Sequence, residues 1–516
     1  MDRPAYLINL QQTAKTMNIP AWVQDAIFYQ IFPDRFARST RLPDLGFEPW
    51  DSPPTVHGFK GGDLYGIVEH LDYLQDLGVT ALYLNPVFAS ASNHRYHTYD
   101  YYNVDPLLGG NEALRLLLDE CHRRGMHLIL DGVFNHASRG LWQFHHVLET
   151  GRASPYKDWF HFDPDRLSGK RHWGAYPSPQ EEQAIRQEGS LKAIGYQAWW
   201  DLPALPKFNT AIPAVRAFLF DVAEHWMRFG IDGWRLDVPG EINDDSFWQE
   251  FRRRVRAINP QAYIVGEIWH EAGRWLTGDQ FDAVMNYLLT AALLSFFGGP
   301  RLDIATVNQS GGLQGRIHPG MDANGFANEL DRLFHLYPRD ITYAQLNLLD
   351  SHDMPRFLTC VGGDKSALRL AWLFLMTYPG APCLYYGDEI GLDGSHDPDC
   401  RKAFPWDASR WDLDLLAYAK DVIALRKRLP ALRRGNYQRL YAAGSVFASA
   451  RQLDKETLVI ALNAGDTPST VEISLATLTP PPRPPEHLFG PPANTHLQET
   501  TLRLEIPARN GIVLKV

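Results

Sequence analysis

The sequence predicts a parallel (β/α)8 barrel with a small inserted domain after its third strand and a C-terminal antiparallel β-sandwich. Three observations carry this: eight short apolar runs alternate with helical stretches, polar residues gather at the ends of those runs, and helical patterning stops near residue 430. The runs are AIFYQIF (26–32), ALYLNPV (81–87), HLILDGVFNH (127–136), GWRLDV (233–238), YIVGEIW (263–269), AVMNY (283–287), LNLLDSHD (346–353) and PCLYYGDE (382–389). Strands covered on both faces read as near-continuous hydrophobic runs, as in parallel sheets. Between them, LRLLLDECHRRG (114–125) and VRAFLFDVAEHWMRFG (215–230) are amphipathic and end at glycine, a helix stop. Eight such runs point to a closed barrel rather than an open sheet.

The stretch from about 137 to 205 is long for a βα connection and rich in Trp, Pro and Gly, so it reads as an inserted domain beside the barrel mouth. Beyond residue 430, short alternating segments such as SVFASAR (445–451), TLVIALN (457–463) and GIVLKV (511–516) predict antiparallel strands. The expected division is an N-terminal extension over 1–21, a catalytic barrel over 22–429 and a β-sandwich over 430–516.

Composition narrows the function. A net charge of −10 lacks the basic footprint that nucleic-acid binding requires. No segment approaches the roughly 20 apolar residues of a membrane span, and the N-terminus lacks the apolar core of a secretory signal. Four cysteines without CxxC spacing form no disulfide framework and suit reduced thiols. A cytoplasmic, soluble protein is the expectation. Aromatic residues reach 12% and cluster in loops such as GYQAWWDLPALPKF (195–208). Flat rings with polar handles suit sugar faces, although a large core accounts for them equally well.

At the ends of the runs stand Asp131, Asn135 and His136, then Arg235 and Asp237, Glu267, His352 and Asp353, and Asp388 and Glu389. In a barrel these ends converge on one face, where active sites are built. A lone Asp after a strand is usually a helix cap or turn former. Six or more polar residues on successive strand ends are harder to explain that way. Glycoside hydrolysis uses two carboxyl groups flanking the scissile bond, about 5–5.5 Å apart when configuration is retained. Asp237 and Glu267 end adjacent strands, which lie about 4.8 Å apart. Arg235, two residues before Asp237, shares its face and is expected to keep it ionised as nucleophile. Glu267, near the charges of Asp237 and Asp353, is expected to hold a proton as general acid/base. Asp353, beside His352, suits sugar hydroxyls and a distorted ring.

DGVFNH (131–136), GWRLDV (233–238), GEIW (266–269) and LLDSHD (348–353) resemble, in order and placement, the four signature regions of the α-amylase family of glycoside hydrolases. YLNPVFAS (83–90), KDWFHF (157–162), LPKFNT (205–210) and YYGDEIGLDG (385–394) resemble its neopullulanase, cyclomaltodextrinase and maltogenic amylase subgroup. The resemblance implies cleavage of α-1,4-glucosidic bonds in cyclodextrins, pullulan, malto-oligosaccharides or starch, often with some transglycosylation. It implies that Asp237 is the nucleophile, Glu267 the acid/base and Asp353 the transition-state stabiliser. It makes Arg235, His136 and His352 sugar contacts, Tyr96 a stacking ring, and Glu241 and Trp269 lining of the acceptor side. Asp131 and Asn135 become structural support. Subgroup members usually carry an N-terminal β-domain that builds a dimer. This barrel begins near residue 22, so a monomer or an assembly built otherwise is expected.

Three other readings compete. A transglycosylase or isomerase of the same family, for example trehalose-forming, would intercept the same covalent intermediate with sugar. A non-catalytic sugar-binding relative would have lost the carboxylates, all of which are present. A metal-dependent barrel hydrolase would be inactivated by chelators. Asp63 alone is a poor calcium site, since hard cations take about six oxygens, so no essential metal and no cofactor are expected.

Overall fold

The computed structural model describes residues 18–170 and 176–516. Residues 1–17, most of the expected N-terminal extension and the segment read as lacking a secretory signal, lie outside the described residues. Eight parallel strands form the barrel: β1 (Phe28–Ile31), β2 (Ala81–Leu84), β3 (His127–Gly132), β4 (Gly233–Leu236), β5 (Tyr263–Gly266), β6 (Ala283–Val284), β7 (Leu346–Leu348) and β8 (Ala381–Tyr385). β1 pairs with β2 and β8, and the ladder runs from β2 through to β6. β7 pairs with β8, and a single parallel bridge from Met285 to Leu346 closes the circle between β6 and β7. Nearly every strand residue is buried, which is why these strands read as continuous apolar runs rather than alternating ones.

The strands are shorter than the runs that predict them. The 346–353 run keeps ladder pairing only to Leu348, and its polar end, Asp350 to Asp353, leaves the strand as a βα-loop. Tyr287, expected in the sixth strand, instead opens the helix Tyr287–Phe297, because the Asn286 side chain accepts from Leu289 N–H and caps it there. The helix expected over 215–230 spans Pro213–Phe229, labelled here α1. It starts with proline in its first turn and stops at Gly230, whose φ of 109° only glycine adopts freely. Val215, Leu219, Val222 and Trp226 form its buried stripe, at the spacing of one helix face.

Between β3 and β4 the chain makes an aromatic excursion. Phe144, Phe160, Tyr196 and Phe208 pack ring on ring with centroids 4.9–5.1 Å apart. Bridges His136–Lys207, Phe160–Phe208 and Ala198–Pro206 tie the returning chain back to the end of β3. This lays the 196–208 loop across the barrel mouth.

The C-terminal strands form two antiparallel sheets. β9 (Asn436–Ala443), β10 (Val446–Leu453), β11 (Glu456–Asn463), β13 (Glu486–Phe489) and β16 (Asn510–Lys515) make five strands, ordered β9-β10-β11-β16-β13. β12 (Ser469–Ser474), β14 (Thr495–Gln498) and β15 (Thr501–Ile506) make the second sheet. Along β10, Val446, Ala448 and Ala450 enter the core shared with the second sheet, while Phe447 packs on Phe326 toward the barrel. The period-two alternation lets one strand serve two cores.

Candidate active site

Leu236 of β4 is in register with Gly266 of β5, and the next residues are Asp237 and Glu267. The two carboxylates therefore stand side by side on the catalytic face, 7% and 6% exposed. Arg235 lies between them. Its Nη1 donates to Asp131 Oδ1 and Oδ2 at 2.8 and 2.9 Å and to Asp237 Oδ1 at 3.1 Å. Its Nη2 forms an ion pair with Glu267 Oε2 at 2.8 Å. Asp131 is held in turn by the hydroxyls of Tyr83 and Tyr96, at 2.9 and 2.8 Å. One buried guanidinium thus serves three carboxylates, and Asp131 orients it.

Val238 follows Asp237 with φ 35°, a left-handed conformation that a β-branched residue adopts only under strain, about 1–3 kcal/mol. The strained turn aims Val238 N–H at Glu267 Oε2, 3.1 Å away. Glu267 Oε1 accepts from the Trp269 indole N–H at 2.9 Å. Trp269 lies flat on Tyr287, with centroids 3.5 Å apart.

Asp353 stands across from this pair. Its Oδ2 is 3.0 Å from His352 Nε2, and its Oδ1 accepts from Arg401 Nη2 at 3.2 Å. His352 Nδ1 meets Gln30 Nε2 at 2.9 Å, and its Nε2 meets the Tyr96 hydroxyl at 2.6 Å. Tyr96 is stacked against His352, interplanar angle 6°, and takes a further hydrogen bond from Asn85 Nδ2. The tyrosine is a half-buried wall of the site, polar at its tip and flat on its face.

His136 Nε2 is 4.0 Å from Asp237 Oδ2, and both atoms are buried without a hydrogen-bond partner among the described residues. Asn135 Nδ2 donates to His136 Nδ1 at 3.2 Å, which leaves the proton of the neutral ring on Nε2. Burial, with His97 and Lys207 nearby, pushes this imidazole down to about 3. A donor and an acceptor thus face each other across a gap that a sugar hydroxyl fits. Glu241 sits apart from the carboxylates, in the turn Pro239–Glu241, exposed at the rim and paired with Lys207 Nζ at 3.0 Å.

Burial raises the carboxyls of both Asp237 and Glu267, with Arg235 opposing it in each case. The charges of Glu267, Asp131 and Asp353 push Asp237 further up, and Asp353 does the same to Glu267. Arg235 favours the ionised form of Asp237, against burial and three neighbouring acids. The guanidinium is divided among three acids, so each receives only part of its charge. Asp353 differs: its side chain is 31% exposed, and although burial works against its charge, His352 and Arg401 outweigh this and hold it well below the usual range.

Several contributors escaped sequence reasoning. Arg401 comes from a loop after β8 with no strand to mark it. Gln30, a buried amide inside the apolar run FYQIF, carried a readable signal. Trp199 stacks on His136, centroids 5.0 Å apart, and Trp200 stacks on Trp199 at 4.9 Å. Trp200 is 77% exposed, with left-handed φ of 51° there and 56° at Asp201. A row of parallel rings therefore runs from the carboxylates to solvent. Asp388 and Glu389 serve elsewhere: Asp388 pairs with Arg356 at 2.7 Å, and Glu389 accepts from the hydroxyls of Tyr29 and Tyr73. Asp63 caps a helix, accepting from Gly66 N–H and from Ser39.

An eight-stranded parallel barrel with buried carboxylates bridged by arginine at its C-terminal face defines a barrel glycosidase. The family model for the alpha-amylase catalytic domain matches residues 30–421, and the chain belongs to the alpha-amylase family of glycoside hydrolases. It is 43% identical over 461 residues to a cyclomaltodextrinase of Geobacillus thermopakistaniensis, covering 88% of this chain and 71% of that one. Neopullulanase 2 of Thermoactinomyces vulgaris is 43% identical, with 89% and 72% covered. Among solved structures, a debranching enzyme of Nostoc punctiforme superposes with a TM-score of 0.86 at 45% identity, covering 96% of this chain and 99% of that one.

Proposed function

We propose that this protein is a retaining hydrolase of α-1,4-glucosidic bonds in cyclodextrins, pullulan, malto-oligosaccharides or starch, acting through a covalent glycosyl-enzyme intermediate. The observation that carries the reading is the register of Asp237 and Glu267 at the ends of β4 and β5, joined by one guanidinium. Neighbouring strands separate such carboxyls by about the retaining distance and leave no room for the extra water of inversion.

Asp237 Oδ2, free of donors, attacks the anomeric carbon from below. Glu267 protonates the glycosidic oxygen, then takes a proton from the incoming water. In the empty site both Glu267 oxygens meet N–H groups, which favours its anion. A bound glucan displaces water and brings an acceptor oxygen to Glu267, which favours the protonated form. His136 Nε2–H and His352 hold hydroxyls of the same sugar, Tyr96 stacks on its face, and Asp353 strengthens its contacts as the ring flattens. The four buried, unpaired cysteines suit a reducing cytoplasm.

The test compares initial rates on β-cyclodextrin and soluble starch, with Asp237→Asn as blank, and follows the product anomer by proton NMR. Hydrolysis that first releases the α-anomer, reduced at least about 10³-fold in the variant, is expected. First release of the β-anomer would refute the assignment of Asp237 as nucleophile.

A further inference from the structure

Arg401 ends a single 3-10 turn, Asp399–Arg401, rather than standing on a strand or a long helix. No sheet ladder fixes its backbone, and side chains hold it instead. The Cys400 carbonyl accepts from Arg356 Nε at 3.2 Å and from the Tyr385 hydroxyl at 3.3 Å. The Arg401 carbonyl accepts from Arg35 Nη1 at 3.3 Å, and the Lys402 carbonyl from the Tyr386 hydroxyl at 2.6 Å. Three successive carbonyls are thus gripped in the short segment whose guanidinium meets Asp353 Oδ1 at 3.2 Å.

Among these grips, Arg356 comes from the loop after β7, a few residues beyond Asp353, and is fully buried. Its own place is fixed. Nη1 pairs with Asp388 Oδ1 at 2.7 Å, and its backbone N–H donates to the Gly394 carbonyl at 2.9 Å. Its guanidinium carbon lies 4.3 Å from the ring centre of Tyr385 and 5.0 Å from that of Tyr386. The next N–H, of Phe357, donates to Asp350 Oδ2 at 2.6 Å and anchors the same loop. A planar guanidinium holds a carboxylate and a carbonyl at once in a rigid fork, which the point charge of a lysine does not reproduce. In the other direction, Arg401 Nε donates to the His352 carbonyl at 2.8 Å. The loops after β7 and β8 therefore clasp each other, each through an arginine set on the other's backbone.

We infer that Arg356 is a positioning residue: its grip on the Cys400 carbonyl sets where the Arg401 guanidinium stands and so aligns it on Asp353. Without that grip the backbone at residues 400 and 401 is free to drift, and a charge-assisted hydrogen bond weakens steeply as its distance and angle open. Arg356 acts through Arg401 and not on the sugar. The inference rests on the proposed hydrolase reading in one respect, that Asp353 is the group acting on the sugar as the ring distorts. A purely structural arginine makes a different prediction: its loss lowers the melting temperature and adds to the loss of Arg401 instead of being absorbed by it.

The experiment measures kcat on whichever of β-cyclodextrin and soluble starch the wild type cleaves faster, with thermal melting of each variant. The variants are Arg356→Met, Arg356→Lys, Tyr385→Phe, Arg401→Met, and Arg356→Met combined with Arg401→Met. Arg356→Lys keeps a charge for Asp388 but gives up the Nε–H on Cys400, and Tyr385→Phe removes the second donor to that carbonyl. The expected kcat falls about fivefold in Arg356→Met and about twofold in Tyr385→Phe, the range of one or two lost hydrogen bonds. Arg356→Lys should recover the melting temperature of Arg356→Met without recovering its rate. In the Arg401→Met background, Arg356→Met should cost less than about twofold more, because the contact it aligns is already gone. Losses that multiply in the double variant overturn the inference, as does an unchanged kcat in a folded Arg356→Met or a rate fully recovered by lysine. If Arg356→Met does not fold, Arg356→Lys and Tyr385→Phe, each alone and combined with Arg401→Met, decide by the same comparison. If the wild type cleaves neither glucan, the hydrolase reading falls and crystal structures of Arg356→Lys and Tyr385→Phe decide. Arg401 Nη2 displaced beyond hydrogen-bond reach of Asp353 supports the positioning role, and the contact retained in both variants overturns it.

Discussion

Replacing Arg235 with leucine tests the electrostatic account of the site. Arg235 is fully buried and contacts Asp131, Asp237 and Glu267. Removing one partner of a buried ion pair leaves uncompensated charge and costs about 3–5 kcal/mol. The cost depends on pH. The carboxyls of Asp237 and Glu267 are raised in the folded protein, and Arg235 opposes the rise. A carboxyl raised on folding leaves stability intact below its unfolded value, near 4, and reduces it as pH climbs through the folded value. Without Arg235 the folded values climb further, so the extra destabilisation is largest at neutral pH and shrinks toward pH 5. Unfolding entropy of about 2.1 cal/mol/K per residue makes 1 kcal/mol worth about 1 °C in a chain of this length. Calorimetric melts are therefore expected to fall about 3–5 °C at pH 7 and distinctly less at pH 5. Arg235→Lys, which keeps the charge, should lose less at pH 7. Equal losses at both pH values would refute the reasoning, since a pure packing defect has no reason to titrate.

Three further outcomes follow from the same geometry. Trp200→Ala should leave the melting temperature within about 1 °C, because the ring is exposed, yet raise KM for long maltodextrins several-fold through loss of a stacking face. Arg401→Met removes a charge-assisted hydrogen bond to Asp353, so kcat/KM should fall about tenfold. Asp353 would then titrate higher, moving the acid limb of the pH–rate profile to higher pH. Dialysis against EDTA should leave activity unchanged, whereas inactivation reversed by a divalent cation would reinstate the metal-dependent reading.

The sequence by itself determined the barrel and the face on which its polar residues gather. Strands buried on both faces must be almost wholly apolar, so each announced itself as a run, and the polar residues ending those runs could only converge on one face. Asp237, Glu267, Asp353, Arg235 and His136 were legible for that reason. Where the strands end was not legible, because an Asn cap at residue 286 can turn an apolar segment into a helix without changing its composition. Only the tertiary structure decided how many acids share Arg235, and hence how its charge is divided against burial at Asp237. It alone brought Arg401 to Asp353, stacked Trp199 and Trp200 outward from His136, and moved Glu241 to Lys207 at the rim. The Arg401, Trp199 and Glu241 contacts join residues tens of positions apart, and no local periodicity records them. Electrostatic energies depend on distance and burial, quantities that exist only once the chain has closed on itself.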